Sequence, residues 1–154
     1  MRWIALIFWI AVCFGVAALG GRWTAAEIPG WYETLVRPGF APPNWVFGPV
    51  WSVLYLLMAL AAWRVGLAEA SPGRMWGLAL FLVQLALNLA WSWLFFHEHF
   101  IGLAAMEIFL LWAAIGATAL VFGRVAPAAA LLMVPYWAWV TFATALNAAF
   151  WLLN

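Results

Sequence analysis

Apolar residues run on in this chain for roughly twenty positions at a time, and short polar segments break them up. A membrane-spanning helix needs about 20 mostly apolar residues, because a rise of ~1.5 Å per residue must cross ~30 Å of hydrocarbon. Five stretches meet that condition: residues 3–20, 45–66, 75–96, 100–123 and 127–152. No charged residue occurs between Pro38 and Trp63 or from Pro127 to Asn154. The turn Glu69-Ala70-Ser71-Pro72-Gly73-Arg74 separates the second stretch from the third, its Pro and Gly stopping one helix before the next starts. The pattern predicts an all-α integral membrane bundle of five transmembrane helices, forming a single domain over residues 1–154. Residues 21–44 are the one long connection, rich in Pro and aromatic residues and carrying Arg22, Glu27, Glu33 and Arg37. Long ordered loops are usually functional, so this segment is read as a lid.

The first stretch follows Arg2 and ends in small residues, as a signal peptide would. Its apolar run exceeds the ~7–15 residues of a signal core, so a first transmembrane helix is the expectation. An odd number of spans puts the termini on opposite faces. Arg2, Arg64, Arg74 and Arg124 then share the N-terminal side and Arg22 and Arg37 the other, a bias that favours a cytoplasmic N-terminus.

Composition agrees with this picture. The chain is 70% hydrophobic and 7% charged, with a mean hydropathy of +1.07, far from the balance of a soluble domain. Six Arg against five Glu leave a net charge of +1, which gives no basic field to hold nucleic acid. A single Cys13 permits no intrachain disulfide and no cysteine cluster for a metal. Tryptophan is the anomaly, at 14 residues, more than lipid contact alone requires.

Polar groups at membrane depth are costly unless they face a cavity or a partner. Gln84, Asn88, Trp91 and Ser92 fall on one face of the third helix, which must point inward. The two amides serve either interhelical hydrogen bonding or a pocket with a few fixed polar groups. On the second helix Trp51, Tyr55 and Met58 share a stripe, and the fifth repeats the idea with Pro135, Trp139, Ala143 and Leu146, with Asn147 close by. Indoles on two helices, each with a small residue nearby, can wall a slot for a flat apolar ligand. The competing reading is anchoring at the membrane interface, favoured for Trp3, Trp9, Trp23, Trp45 and Trp151 near helix ends. Glu107, inside the fourth helix, is expected to make a structural hydrogen bond rather than to bind ligand or carry a proton. His97-Glu98-His99 reads as a loop and not as a metal site, because residues two apart on a helix diverge and further ligands are missing. No acid/base pair, nucleophile triad or phosphate loop is visible.

The run Trp31-Tyr32, Leu35, Arg37-Pro38, Pro42-Pro43, Trp45, Phe47-Gly48, Val50-Trp51 and Leu54-Tyr55 resembles the signature of the translocator protein family, also called tryptophan-rich sensory proteins or peripheral-type benzodiazepine receptors. Gln84-Leu85-Ala86-Leu87-Asn88, Trp91 and Phe95-Phe96 resemble its third-helix motif, and Pro135-Tyr136, Trp139, Phe142-Ala143 and Leu146-Asn147 its fifth. The resemblance implies a five-helix bundle, commonly a homodimer, with a pocket beneath the first loop. That pocket would bind porphyrin or a haem-like tetrapyrrole and synthetic isoquinoline or benzodiazepine-type ligands, with no obligatory cofactor. By motif position Trp51 and Trp139 are similar to tryptophans that some bacterial members use in light-dependent porphyrin breakdown. Tyr32, Phe47, Tyr55, Gln84, Asn88, Trp91, Ala143 and Asn147 would complete the ligand set, together with Glu107, which stands where the family usually carries Asp. Arg37 would pair a propionate at the mouth.

Departures narrow the expectation. Arg37 replaces the usual Lys, and Gly39-Phe40 replaces a small residue followed by Trp. After Asn147 the chain reads Ala148-Ala149-Phe150-Trp151-Leu152-Leu153-Asn154, without the Tyr and basic residue of a proposed sterol motif, which counts against cholesterol as a partner. The resulting expectation is a multi-pass bacterial-type membrane protein that senses, sequesters or photodegrades porphyrin. Transport of porphyrins or other amphiphiles is the alternative. A third reading is a structural partner acting through Ala86 and Ala90 or Ala113 and Ala117, at small-xxx-small spacing.

Overall fold

The structure, a computed structural model, describes residues 1–154 and contains helices α1 (Arg2–Glu27), α2 (Trp31–Thr34), α3 (Phe47–Gly66), α4 (Pro72–Ser92), α5 (Ile101–Val125) and α6 (Pro127–Leu153). All but α2 are long and apolar enough to cross a membrane. The chain is a multi-pass integral membrane protein built as an all-α bundle. Around the bundle α1 packs on α3, α3 on α6, α6 on α5, α5 on α4, and α4 back on α1.

Helix ends follow backbone chemistry more than hydropathy. The loss of apolar character at Gly20-Gly21-Arg22 suggested an end to the first span, yet α1 continues to Glu27. No proline interrupts it before Pro29, and the Thr24 hydroxyl folds back onto the Gly20 carbonyl at 3.1 Å. The lid is correspondingly shorter than residues 21–44. Ser71 caps α4 by accepting from the Arg74 amide at 3.2 Å, with Pro72 in the first turn, and Arg74 Nη1 donates to the Ala68 carbonyl at 2.8 Å. At its far end α4 widens into a π turn over Trp93–His97, where the Glu98 amide bonds back to the Trp93 carbonyl at 3.0 Å. That turn buries the neighbours Phe95 and Phe96 together. His99 follows with φ 59°, a left-handed conformation that His, Asn and Asp tolerate better than most residues. Pro135 lies inside α6, where it leaves the Leu131 carbonyl without its usual amide donor.

Two packed clusters fill the bundle. The larger runs from the end carrying Arg2, Arg64 and Arg124 to mid-height and includes Trp9, Met58, Phe81, Ile115 and Phe122. The smaller lies under the lid and gathers Tyr32, Phe95, Phe96, Leu146 and Phe150. Trp9, expected at the interface, is instead in the core, its ring edge-on to Phe81 at 5.5 Å. It lies two turns into α1, deep enough to meet α4. Trp3, Trp45 and Trp151 are exposed.

Helices α4 and α5 approach closely at Gly77, where a Cβ would lie 3.1 Å from Phe122, a fully buried ring stacked on Phe81. Gly77→Leu is expected to wedge α4 from α5 and cost about 1–3 kcal/mol. Gly15→Ala, where a Cβ meets nothing within 4 Å, should be neutral or stabilising by up to about 1 kcal/mol. Thermal unfolding of both variants in detergent, showing a lowered Tm only for Gly77→Leu, checks this.

Candidate ligand-binding site

A cavity of about 360 Å³ opens between the two clusters, lined by α1, the lid, α3, α4 and α6. Its volume falls in the range of small-molecule pockets, about 300–1,000 Å³. α5 contributes no residue to it.

The floor is a hydrogen-bonded chain that joins three helices. Tyr55 on α3 donates to Asn88 Oδ1 on α4 at 2.7 Å, and Asn88 Nδ2 donates to the Tyr136 hydroxyl on α6 at 2.8 Å. Tyr136 in turn donates to Gln84 Oε1 at 2.8 Å, and Gln84 Nε2 meets Met58 Sδ at 3.8 Å. Tyr55 and Asn88 reach the cavity; Gln84 and Tyr136 lie beneath it, fully buried. Gln84, expected in the ligand set, is thus a support under the floor, because α4 turns it one helical turn below Asn88.

The walls are aromatic. Trp51 leans on Tyr55, centroids 5.6 Å apart, and meets Tyr136 edge-on at 6.1 Å. Trp139 packs edge-on to Phe47 at 6.2 Å and against Phe142 at 5.4 Å. Both indoles line the same cavity, with Ala143 one turn from Trp139. Trp91 stacks on Phe95 at 5.3 Å, and its Nε1 donates to Asn147 Oδ1 at 2.9 Å. Asn147 Nδ2 donates to the Ile101 carbonyl at 3.1 Å. Trp91 and Asn147 therefore line the site with their polar atoms already engaged, tying α4, α6 and the start of α5 together.

The roof is the lid. Tyr32 is wedged against Phe96 and Phe150, at 5.9 and 5.3 Å, beneath the Arg37 guanidinium at 5.5 Å from its ring. Burial pushes the Tyr32 hydroxyl up from its ordinary pKa and the Arg37 charge pulls the other way, so Tyr32 stays neutral. Arg37, expected to meet an acid at the mouth, is folded back to donate to the Pro42 carbonyl at 2.9 Å. The His97-Glu98-His99 triplet forms the turn that holds the lid. The His99 ring stacks on Trp31 at 4.0 Å, and its Nε2 lies 3.1 Å from Glu27 Oε2.

Of the residues expected in the ligand set, Tyr32, Phe47, Trp51, Tyr55, Asn88, Trp91, Trp139, Ala143 and Asn147 line the cavity. Glu107 does not: it is on α5, and its carboxylate oxygens are shut off from solvent without the expected hydrogen-bond partner. Sequence reasoning missed the contribution of α1 and its C-cap, where Ala17, Gly20, Thr24 and, just past the helix, Ile28 line the site. Their spacing of three or four residues was the available signal. Gly20 sits at a close approach, since a Cβ there would lie 3.2 Å from Ser92 Oγ and would press on that side chain.

Fold and site together define a membrane bundle that houses an aromatic-walled cavity under a structured lid. Residues 9–152 match the TspO/MBR family, and the chain belongs to it. It is 42% identical to protein CrtK of Rhodobacter capsulatus over 146 residues, covering 94% of this chain and 91% of that one. It is 39% identical to tryptophan-rich protein TspO of Chlorobaculum tepidum, covering 98% and 96%. Identity to the human translocator protein is 37%, covering 97% and 89%.

The lid clasp can be tested separately from binding. His99→Asn keeps a residue suited to the left-handed turn but removes the ring stack and shortens the reach to Glu27. The two contacts are worth about 1–2 kcal/mol together, so lid amides at residues 30–37 should exchange hydrogen roughly tenfold faster. Exchange in α3 to α6 should not change. Hydrogen exchange with mass detection in nanodiscs is the measurement.

Proposed function

We propose that the cavity binds a flat, largely apolar tetrapyrrole such as a porphyrin, and that the protein senses its ligand by sequestering or photo-oxidising it. The observation that carries this reading is the placement of Trp51 and Trp139, from separate helices, on the walls of one apolar cavity with a polar floor. A macrocycle presents two extended π faces, and indoles stack on such faces with offset or edge geometry worth about 0.5–1.5 kcal/mol per pair beyond area burial. Most of the affinity would come from taking the ring out of water at about 25 cal/mol per Å² of apolar surface. The polar edge of the macrocycle would meet Asn88 and Tyr55, the cavity-facing members of the floor.

Under light, the excited macrocycle would pass an electron to dioxygen, giving superoxide, and the oxidised macrocycle would then take an electron or a hydrogen atom from an indole in contact with it, leaving an indolyl radical. Trp51 and Trp139 are the residues assigned that role. The same planar, apolar cavity would take isoquinoline or benzodiazepine-type ligands in competition with porphyrin, and family membership supports this reading.

Titration of the purified protein with protoporphyrin IX tests the proposal, in darkness and under illumination, with Trp51→Phe and Trp139→Phe alongside the wild type. Phenylalanine preserves a stacking face, so dark affinity should fall by no more than about tenfold. Light-driven loss of the porphyrin absorbance should be abolished. Unchanged dark binding and unchanged photochemistry in both variants would remove these two residues from the site.

A further inference from the structure

We propose that ligand enters and leaves the cavity sideways, from the bilayer, through a slot between α1 and α3, while the lid stays shut. The proposal concerns the route to the site and rests on the reading of that site as a ligand pocket. Among the residues lining the cavity, the exposed ones are Phe14, Gly21 and Ala25 on α1 and Gly48 and Ser52 on α3. Every lining residue from the lid, α4 and α6 is buried or half-buried. The opening is therefore confined to the seam between two neighbouring helices.

The seam is sealed at its other end. Trp63 Nε1 donates to the Arg2 carbonyl at 3.0 Å, Trp3 stacks on Trp63 at 6.2 Å, and the Trp9 indole covers Gly66, where a Cβ would lie 3.5 Å from Nε1. Toward the lid the same helices carry small side chains instead. A Cβ on Gly21 or Gly48 would meet nothing within 4 Å. The Ser52 hydroxyl is turned onto the Gly48 carbonyl at 2.9 Å and needs no partner in the gap. None of the five exposed residues is charged, and Phe14 lies near the middle of α1, so the slot reaches hydrocarbon depth.

The lid, by contrast, is fastened at three places. The Val36 amide donates to Asn154 Oδ1 at 2.8 Å and Asn154 Nδ2 donates to the Val36 carbonyl at 3.1 Å. His99 holds Trp31 and Glu27, and Tyr32 is wedged among Phe95, Phe96 and Phe150. Entry through the roof would break all three, whereas entry through the slot breaks none. A planar amphiphile partitions into the bilayer because water rejects its apolar faces. It therefore arrives at the flank of the bundle, edge-on to a gap lined by glycine, alanine and serine toward the lid, with Phe14 at its deep end.

The test compares protoporphyrin IX binding kinetics, read as quenching of tryptophan fluorescence after stopped-flow mixing, for the full chain in liposomes. Gly21→Leu/Gly48→Leu fills the slot, and Ser52→Phe fills it from one turn away. Both should slow association and dissociation in parallel, by about tenfold or more. His99→Asn/Asn154→Ala releases the lid and should leave both rates within about twofold of wild type. Wild-type rates in both filled variants would overturn the slot, as would a large acceleration on lid release with no effect of filling. A wild type that binds no porphyrin at all overturns the proposed function and the route with it, a result distinct from binding at unchanged rates.

Discussion

The bundle depends on four polar side chains that find their partners across three helices at a depth where water is absent. An unpaired amide or hydroxyl in such a place costs several kcal/mol, so Tyr55, Asn88, Tyr136 and Gln84 must settle where they complete one another. Net gain per interhelical bond in a membrane is only about 1 kcal/mol. Their larger effect is on position. The chain fixes the rotation of α3, α4 and α6 at mid-height, since each side chain has one geometry that satisfies both neighbours. Below it the helices close on a packed apolar core; above it the same rotation leaves Trp51 and Trp139 on the walls of a common space.

The space persists because large and small residues alternate around it. Trp139 is followed one turn on by Ala143, Trp51 is preceded by Gly48, and α1 contributes Ala17 and Gly20. A bundle with uniform side chains would collapse onto itself. The lid end is held open by a second framework: Trp91, Asn147 and the Ile101 carbonyl tie α4, α6 and α5 together without consuming the cavity. The π turn that ends α4 sends Phe95 and Phe96 under the lid, and His99 in its left-handed conformation presents the ring that Trp31 covers. Roof and floor are thus built from different chemistry, aromatic above and hydrogen-bonded below.

Much of this was legible in the sequence where a single physical rule dominates. Five runs of hydrocarbon length defined the spans, and the break before the third was read at Glu69–Arg74, although α4 already begins within it at Pro72, capped by Ser71. Gln84 and Asn88 had to face inward because lipid offers them nothing, and the structure assigns them to the interhelical role, with Asn88 also reaching the cavity. Periodicity could not say which amide stands above the floor and which below, because that depends on the tilt of neighbouring helices. It missed the α1 wall because the face shared by Ala17, Gly20 and Thr24 shows only in their spacing, their side chains being too small to mark it by hydropathy. The end of α1 was misplaced for a related reason, since hydropathy falls at Gly20 while the backbone hydrogen bonds continue to Glu27. Glu107 was expected to find a hydrogen-bond partner and has none, because no donor on the neighbouring helices comes within reach of its carboxylate.

The central claim is that the two indoles face a shared interior hollow and hold a planar ligand between the polar floor and the lid. The most direct measurement is an experimental structure of the protein with protoporphyrin IX, determined in a lipid nanodisc. The account predicts the macrocycle inside the bundle, in contact with Trp51 and Trp139 and with its edge toward Asn88 and Tyr55. A macrocycle lying on the outer, lipid-facing surface, with the interior closed, would contradict it.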